Sequence, residues 1–151
     1  MTFKINVSEK TGKTYHFESE SHEFIGKELH DKIKGEDFSA DLSGYEFEIT
    51  GTTDSAGFTS LESVDGTGLK RVLLSYGKGM HKRARREGKK KVSNFKPKGL
   101  RLRKTVRGRV ISEEISQINL NVLKEGSKKL EEIFPEQNQK KAEEKSIKEE
   151  V

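Results

Sequence analysis

At 151 residues the chain has the length of one small domain, yet Ala, Val, Ile, Leu, Met, Phe and Gly supply only 56 of them, below the roughly 45–50% usual for that set in globular domains. It has no cysteine, which excludes disulfide frameworks, thiolate zinc sites and cysteine nucleophiles, and no apolar run nears the ~18 residues of a membrane span. The formal charge of +5 divides into −8 over residues 1–68, +16 over 69–109 and −3 over 110–151, a partition that excludes an ordinary solvated surface, where both signs are interspersed.

In chain order, Phe3, Ile5 and Val7 alternate with Lys4 and Asn6, and Tyr15 and Phe17 flank His16. Each stretch predicts a strand with one buried and one wet face, and Lys10-Thr11-Gly12-Lys13 supplies the turn that makes them a hairpin. No leader peptide is expected from so alternating a start, so the chain is expected to be cytoplasmic. Ile25, Leu29 and Ile33 fall at i, i+4 and i+8 with Gly35 just beyond, predicting one short amphipathic helix. Tyr45, Phe47 and Ile49 form a third alternating stretch, and Val72-Leu73-Leu74 a continuous run suited to a strand covered on both sides. Val106, Gly108 and Val110 alternate with Arg107 and Arg109, where Gly108 suggests a bulge or a tight approach. Ile118, Leu120 and Val122 alternate with Asn119 and Asn121. Six short strands with one short helix predict a mainly β fold, a small antiparallel barrel-like domain over residues 1–126, because closure removes exposed edges; an open sheet is the alternative. Residues 127–151 read as a short helix from Ser127 to Phe134, interrupted at Pro135, followed by a polar, charged tail.

Within this domain Gly77–Lys104 stands apart as a long basic loop of 28 residues with almost no apolar periodicity. Loops of that length are usually functional or disordered. Its scattered Met80, Val92, Phe95, Leu100 and Leu102 are too few to offset the entropy of ordering it, so a ligand is expected to hold it. Lys78, Lys82, Arg83, Arg85, Arg86, Lys89, Lys90, Lys91, Lys96, Lys98, Arg101, Arg103 and Lys104 crowd the loop, and Arg71, Arg107 and Arg109 stand at its base. Two like charges about 7 Å apart in water repel by roughly 0.6 kcal/mol, and between residues 69 and 109 Glu87 is the sole acid among 17 bases. Such a segment calls for a polyanion. Nucleic acid fits, since neutralising phosphates releases counterions, with arginine supplying a two-pronged fork and lysine a point charge. Tyr76, His81 and Phe95 could stack on unpaired bases of a folded RNA, although for Tyr76 a place in the core is the stronger reading.

Catalytic signals fail on spacing. Gly12-Lys13-Thr14 resembles the end of a phosphate-binding loop, but the glycine required five residues earlier is Val7. His16, His22 and His30 lack the i, i+4 spacing of a zinc helix, and Glu113-Glu114 reads as a turn. No enzyme, cofactor, metal site or small-molecule substrate is expected, and the basic stretch lacks the apolar helical face of a membrane anchor.

Arg101-Leu102-Arg103-Lys104-Thr105-Val106-Arg107-Gly108, followed by Ile118-Asn119-Leu120 and Lys124-Glu125-Gly126, resembles the family of small-subunit ribosomal protein six of archaea and eukaryotes. Gly44-Tyr45, Ile49-Thr50-Gly51, Asp54, Gly57-Phe58 and Arg71-Val72-Leu73-Leu74-Ser75 with Gly77 stand in the family's order. The resemblance covers residues 1–126. It implies a barrel-like domain that binds and stabilises small-subunit rRNA beside neighbouring ribosomal proteins, with Arg71, the loop bases and Arg107 as contacts. Thr52 replaces a second family glycine, and Thr59-Ser60 a Pro-Met pair. The tail carries Ser146 alone among Glu and Lys, so it is similar to the short archaeal form and not to the phosphorylated eukaryotic helix. From the residues alone, a stand-alone nucleic-acid binder or RNA chaperone without a fixed ribosomal site is the alternative.

Overall fold

A computed structural model of the chain describes residues 2–81, 86–91, 98–135 and 137. Strands β1 (Phe3–Ser8) and β2 (Thr14–Ser19) form the expected hairpin, with Ile5 opposite Phe17 and Val7 opposite Tyr15. β3 (Lys32–Lys34), β4 (Glu46–Asp54) and, near the C-terminus, Ile115–Lys124 complete a five-stranded sheet. The hairpin strands β5 (Leu69–Ser75) and β8 (Arg101–Arg107) pair separately, and between them lies a minimal pair, β6 (Arg86–Glu87) and β7 (Lys90–Lys91). With Ile115–Lys124 as β9, the sheet order is β2-β1-β9-β4-β3.

Three expectations are corrected. The sheet is mixed, because β1 runs parallel to β9, and it is open, with β2 and β3 as its two edges. The β2 edge is met by a side chain instead of a strand: Gln137 donates through Nε2 to His16 O at 2.6 Å and accepts from His16 N–H at 2.8 Å, which covers part of an edge that closure would have removed. The helix expected across Ile25–Ile33 is absent. A 3-10 turn (His22–Phe24) is followed by two further turns, at Ile25-Gly26 and Leu29-His30, whose carbonyls and amides bond across to residues 109–111 and to Ile49, and His30 adopts a positive φ of 72° that no α-helix accommodates. Ile25, Leu29 and Ile33 still reach the main core, each from a separate turn or strand instead of one helical face, and Ile33 lies in β3 opposite Phe47.

The third correction concerns the arm. Its second strand begins at Arg101, so Arg101–Lys104 belong to β8 and not to a loop, while β5 is open to solvent on one face, with Leu69 and Leu73 half exposed. Gly108 ends the alternation. A Cβ there would overlap the Gly66 carbonyl oxygen, so the tight approach expected at this glycine is made to the protein's own backbone.

One face of the main sheet carries the core. Phe3, Ile5, Val7, Tyr15, Phe47, Ile49, Ile118, Leu120 and Val122 are buried there, covered by Phe24, Leu42 and Leu130, each contributing about 1.5–3 kcal/mol of transfer free energy before entropy. Helix α1 (Leu130–Ile133) is shorter than the predicted span, and it seats Leu130 in this core while Phe134 stacks on Phe17 at 5.4 Å. A second, smaller cluster of Leu61, Val64 and Val106, joined by Val72 and Leu74, supports the arm.

Candidate nucleic-acid interface

Strand alternation sorts the arm into two faces. Val72, Leu74 and Val106 turn toward the small cluster, and Arg71, Leu73 and Ser75 face the other way, opposite Thr105, Arg103 and Arg101. Arg71, Arg101, Arg103 and Lys104 are exposed. None of the four has an acidic partner among the described residues. Lys89, Lys90 and Lys98 are likewise exposed and without an ion pair there. Lys78 is exposed and ties the arm to the main sheet, its Nζ donating to Thr50 O at 3.1 Å. Arg86 and Lys91 belong to β6 and β7; Lys82, Arg83, Arg85 and Lys96, with Phe95, lie outside the described residues.

The apolar residue that enters the loop region is not idle. Met80 is fully buried, and Gly77 and Met80 exchange backbone hydrogen bonds of 3.0 Å that double the chain back as it leaves β5. Tyr76, half buried, meets the His81 ring edge-on with centroids 5.4 Å apart.

Arg107 differs from its neighbours on the arm. Its side chain is buried, its Nε donates to Asp54 Oδ2 at 3.0 Å, and Nη1 donates to Thr67 O at 3.0 Å and to the Glu114 carboxylate. Burial pulls the guanidinium pKa down, but the hydrogen bonds and charges of Glu114 and Asp54 outweigh it and lift the pKa above its ordinary value. This cation is committed to the protein's own acids and joins three chain segments. Arg109 is also neutralised from within, between Glu28 (3.1 Å) and Asp65 (3.4 Å). The bases expected from the sequence thus divide into exposed, uncompensated charges on the arm and two internally paired arginines at its root.

Sequence reasoning missed what Asp54 does. One of its carboxylate oxygens holds Arg107; the other accepts from Phe58 N–H at 2.8 Å, and Asp54 N–H donates to Phe58 O at 3.1 Å. Gly57, at φ 87°, allows the tight turn between them. The turn places Phe58 and Thr59 across an open cleft of about 490 Å³ from Arg71, Arg103, Lys104 and Thr105. The Asp-x-x-Gly-Phe order was the available signal, since Asp followed by Gly marks such turns. Among the described residues no cluster of metal-binding side chains forms, and no helix is long and apolar enough to cross a membrane.

A small mixed β body bearing an arm whose described cations mostly lack acidic partners defines the class in structural terms, with no catalytic constellation among its described residues. The family profile Ribosomal protein S6e matches residues 3–135, and the chain belongs to that family, one of ribosomal proteins and not of enzymes. Small ribosomal subunit protein eS6 of Methanococcus maripaludis (strain S2 / LL) is 42% identical over 128 residues, covering 84% of this chain and 91% of the relative. The protein of the same description from Archaeoglobus fulgidus is 41% identical over 145 residues, 92% and 100% of the two chains. That from Halobacterium salinarum is 35% identical over 137 residues, 88% and 93%.

Proposed function

We propose that this chain is a structural constituent of the small ribosomal subunit that binds rRNA with the exposed face of its β5–β8 arm and the basic loop beyond it, beside neighbouring ribosomal proteins in the cytoplasm. The observation that carries the reading is the contrast along β8: Arg101, Arg103 and Lys104 meet no acid among the described residues, whereas Arg107 and Arg109 are neutralised by the protein itself. Charges left unpaired on a rigid strand repel one another until phosphates lie against them. The relatives, each described as a small ribosomal subunit protein, supply the site of action. Phosphate contacts give affinity, and the shape of the folded RNA gives selectivity.

The test replaces residues 82–99 by a short linker, keeping Met80 and both arm strands, and measures affinity for purified small-subunit rRNA. Loss of affinity with a retained fold is expected. Undiminished affinity would show that the loop is not the binding element, and equal binding to any duplex would favour a stand-alone nucleic-acid binder.

A further inference from the structure

Phe58 has no place in either hydrophobic core. Phe3, Phe24 and Phe47 are buried in the main cluster, and Phe17, Phe38 and Phe134 pack against it, whereas Phe58, half buried, belongs to neither cluster and has no aromatic neighbour among the described residues. It lies instead on the wall of the cleft whose other side is Arg71, Arg103, Lys104 and Thr105. An aromatic face beside cations that meet no acid among the described residues combines the two features that receive an unstacked base and its phosphate.

The backbone around the cleft is also unfinished. Arg107 N–H donates to Thr59 O at 3.1 Å, and Arg107 O accepts from Leu61 N–H at 3.1 Å, so the 59–61 segment pairs with the end of β8. Toward Thr105 the two segments part. Thr59 N–H, on the same side of its segment as Thr59 O by strand geometry, has no acceptor among the described residues. Where pairing stops, the cleft opens, with an amide donor on one wall and guanidinium groups on the other.

We propose that this cleft holds one unstacked nucleotide of RNA, its base on the Phe58 ring with an edge toward Thr59 N–H, and its phosphate on Arg71 and Arg103. Every base has a face that stacks on an aromatic ring, and bases splayed from single-stranded segments are what protein sheets and loops recognise in RNA. The cleft's volume of about 490 Å³ lies in the range of about 300–1,000 Å³ typical of small-ligand sites. Arg107 acts here as a positioning residue: through Asp54 it holds the turn that presents Phe58. The inference rests on the rRNA-binding reading above and adds a single-stranded subsite to it.

The test uses the full chain with fluorescein-labelled single-stranded U10 RNA and a ten-base-pair RNA duplex. Phe58→Ala is expected to weaken U10 binding by about 5- to 150-fold, the range of one base–aromatic stack, while leaving the duplex unaffected. Phe58→Tyr, which keeps the ring, should restore U10 binding, and Phe58→Leu replaces the alanine variant if that one fails to fold. The proposal is overturned if wild type does not bind U10, if Phe58→Ala binds it as wild type does, if Phe58→Tyr is as weak as Phe58→Ala, or if a polyglutamate peptide displaces U10 from wild type but not from Phe58→Ala. Failure of the cleft alone is recognised by normal U10 binding in Phe58→Ala together with loss of rRNA affinity when loop replacement is combined with Arg101→Ala and Lys104→Ala; retained rRNA affinity in that combined variant would instead remove the reading beneath it.

Discussion

Arg103 and Arg107 stand four residues apart on one strand and do opposite work. Arg103 is exposed with no acidic partner among the described residues, and Arg107 is enclosed by Asp54, Glu114 and the Thr67 carbonyl. Removing one member of a buried pair strands the other, at a cost of about 3–5 kcal/mol, whereas truncating an exposed, unpaired cation changes stability by no more than about 0.5 kcal/mol. Urea titrations should therefore show Arg107→Ala far down in midpoint and Arg103→Ala near wild type, with rRNA affinity falling in Arg103→Ala. Equal destabilisation by the two would contradict the assignment.

Two tyrosines give a pH signature at the same scale. Burial, and then the Glu9 charge, raises the Tyr15 pKa above its usual 10.0; burial, followed by Glu125 and other charges, raises that of Tyr45, whose hydroxyl donates to Lys128 O at 2.5 Å. A group whose folded pKa lies above its unfolded value contributes fully below the unfolded pKa and loses that contribution as pH rises through the folded one. Stability should hold level from neutral pH to about 9 and fall above about 10. Tyr45→Phe should flatten that fall in denaturant titrations across the same range.

Among elements, the short helix α1 matters more than its four residues suggest. Leu130 is fully buried in the main core, and Ile133 and Phe134 pack against it. We therefore place the end of the folded body near residue 135 and not at 126. Leu130→Ala is expected to cost about 2–5 kcal/mol, readable as a lowered thermal midpoint, and truncation after Gly126 should cost more still. A truncated chain as stable as the full one would make α1 an appendage. The arm has a different anchorage: Met80 and the Gly77–Met80 backbone pair fix the start of the loop, and Lys78 fastens it to Thr50. Its strands are held by the small Leu61, Val64 and Val106 cluster, which leaves the other face free to carry charge.

For the molecule as a whole, the consequence is segregation of charge. The acids concentrate in residues 1–68, within the sheet-forming body, and the bases concentrate in the arm and loop. Binding dominated by such an arm is strongly salt dependent, with a slope of about −0.7 to −0.9 per phosphate neutralised. Plots of log affinity against log salt for small-subunit rRNA should be steep in wild type. They should flatten by roughly one unit for each arm cation, such as Arg71 or Arg101, converted to alanine, and remain unchanged for substitutions in the acidic body.

Much of this was legible without a structure, for a definite reason. Period-two alternation and turn chemistry are local, so β1, β2, β4 and β9 could be read directly from Phe3–Val7, Tyr15–Phe17, Tyr45–Ile49 and Ile118–Val122; the concentration of cations is likewise a property of contiguous residues. The family resemblance rested on short contiguous runs of the same kind. What the tertiary structure alone decided depends on residues far apart in the chain: that β1 lies parallel to β9, that the sheet stays open, and that Ile25–Ile33 is a series of turns bonded to Arg109, Ile111 and Ile49 instead of a helix. The fate of Arg107 is the sharpest case. Nothing within Arg101–Arg109 distinguishes it from its neighbours; only folding brings Asp54, 53 residues away, within reach, and that long-range pairing ties one cation of a basic series to the protein's own acids.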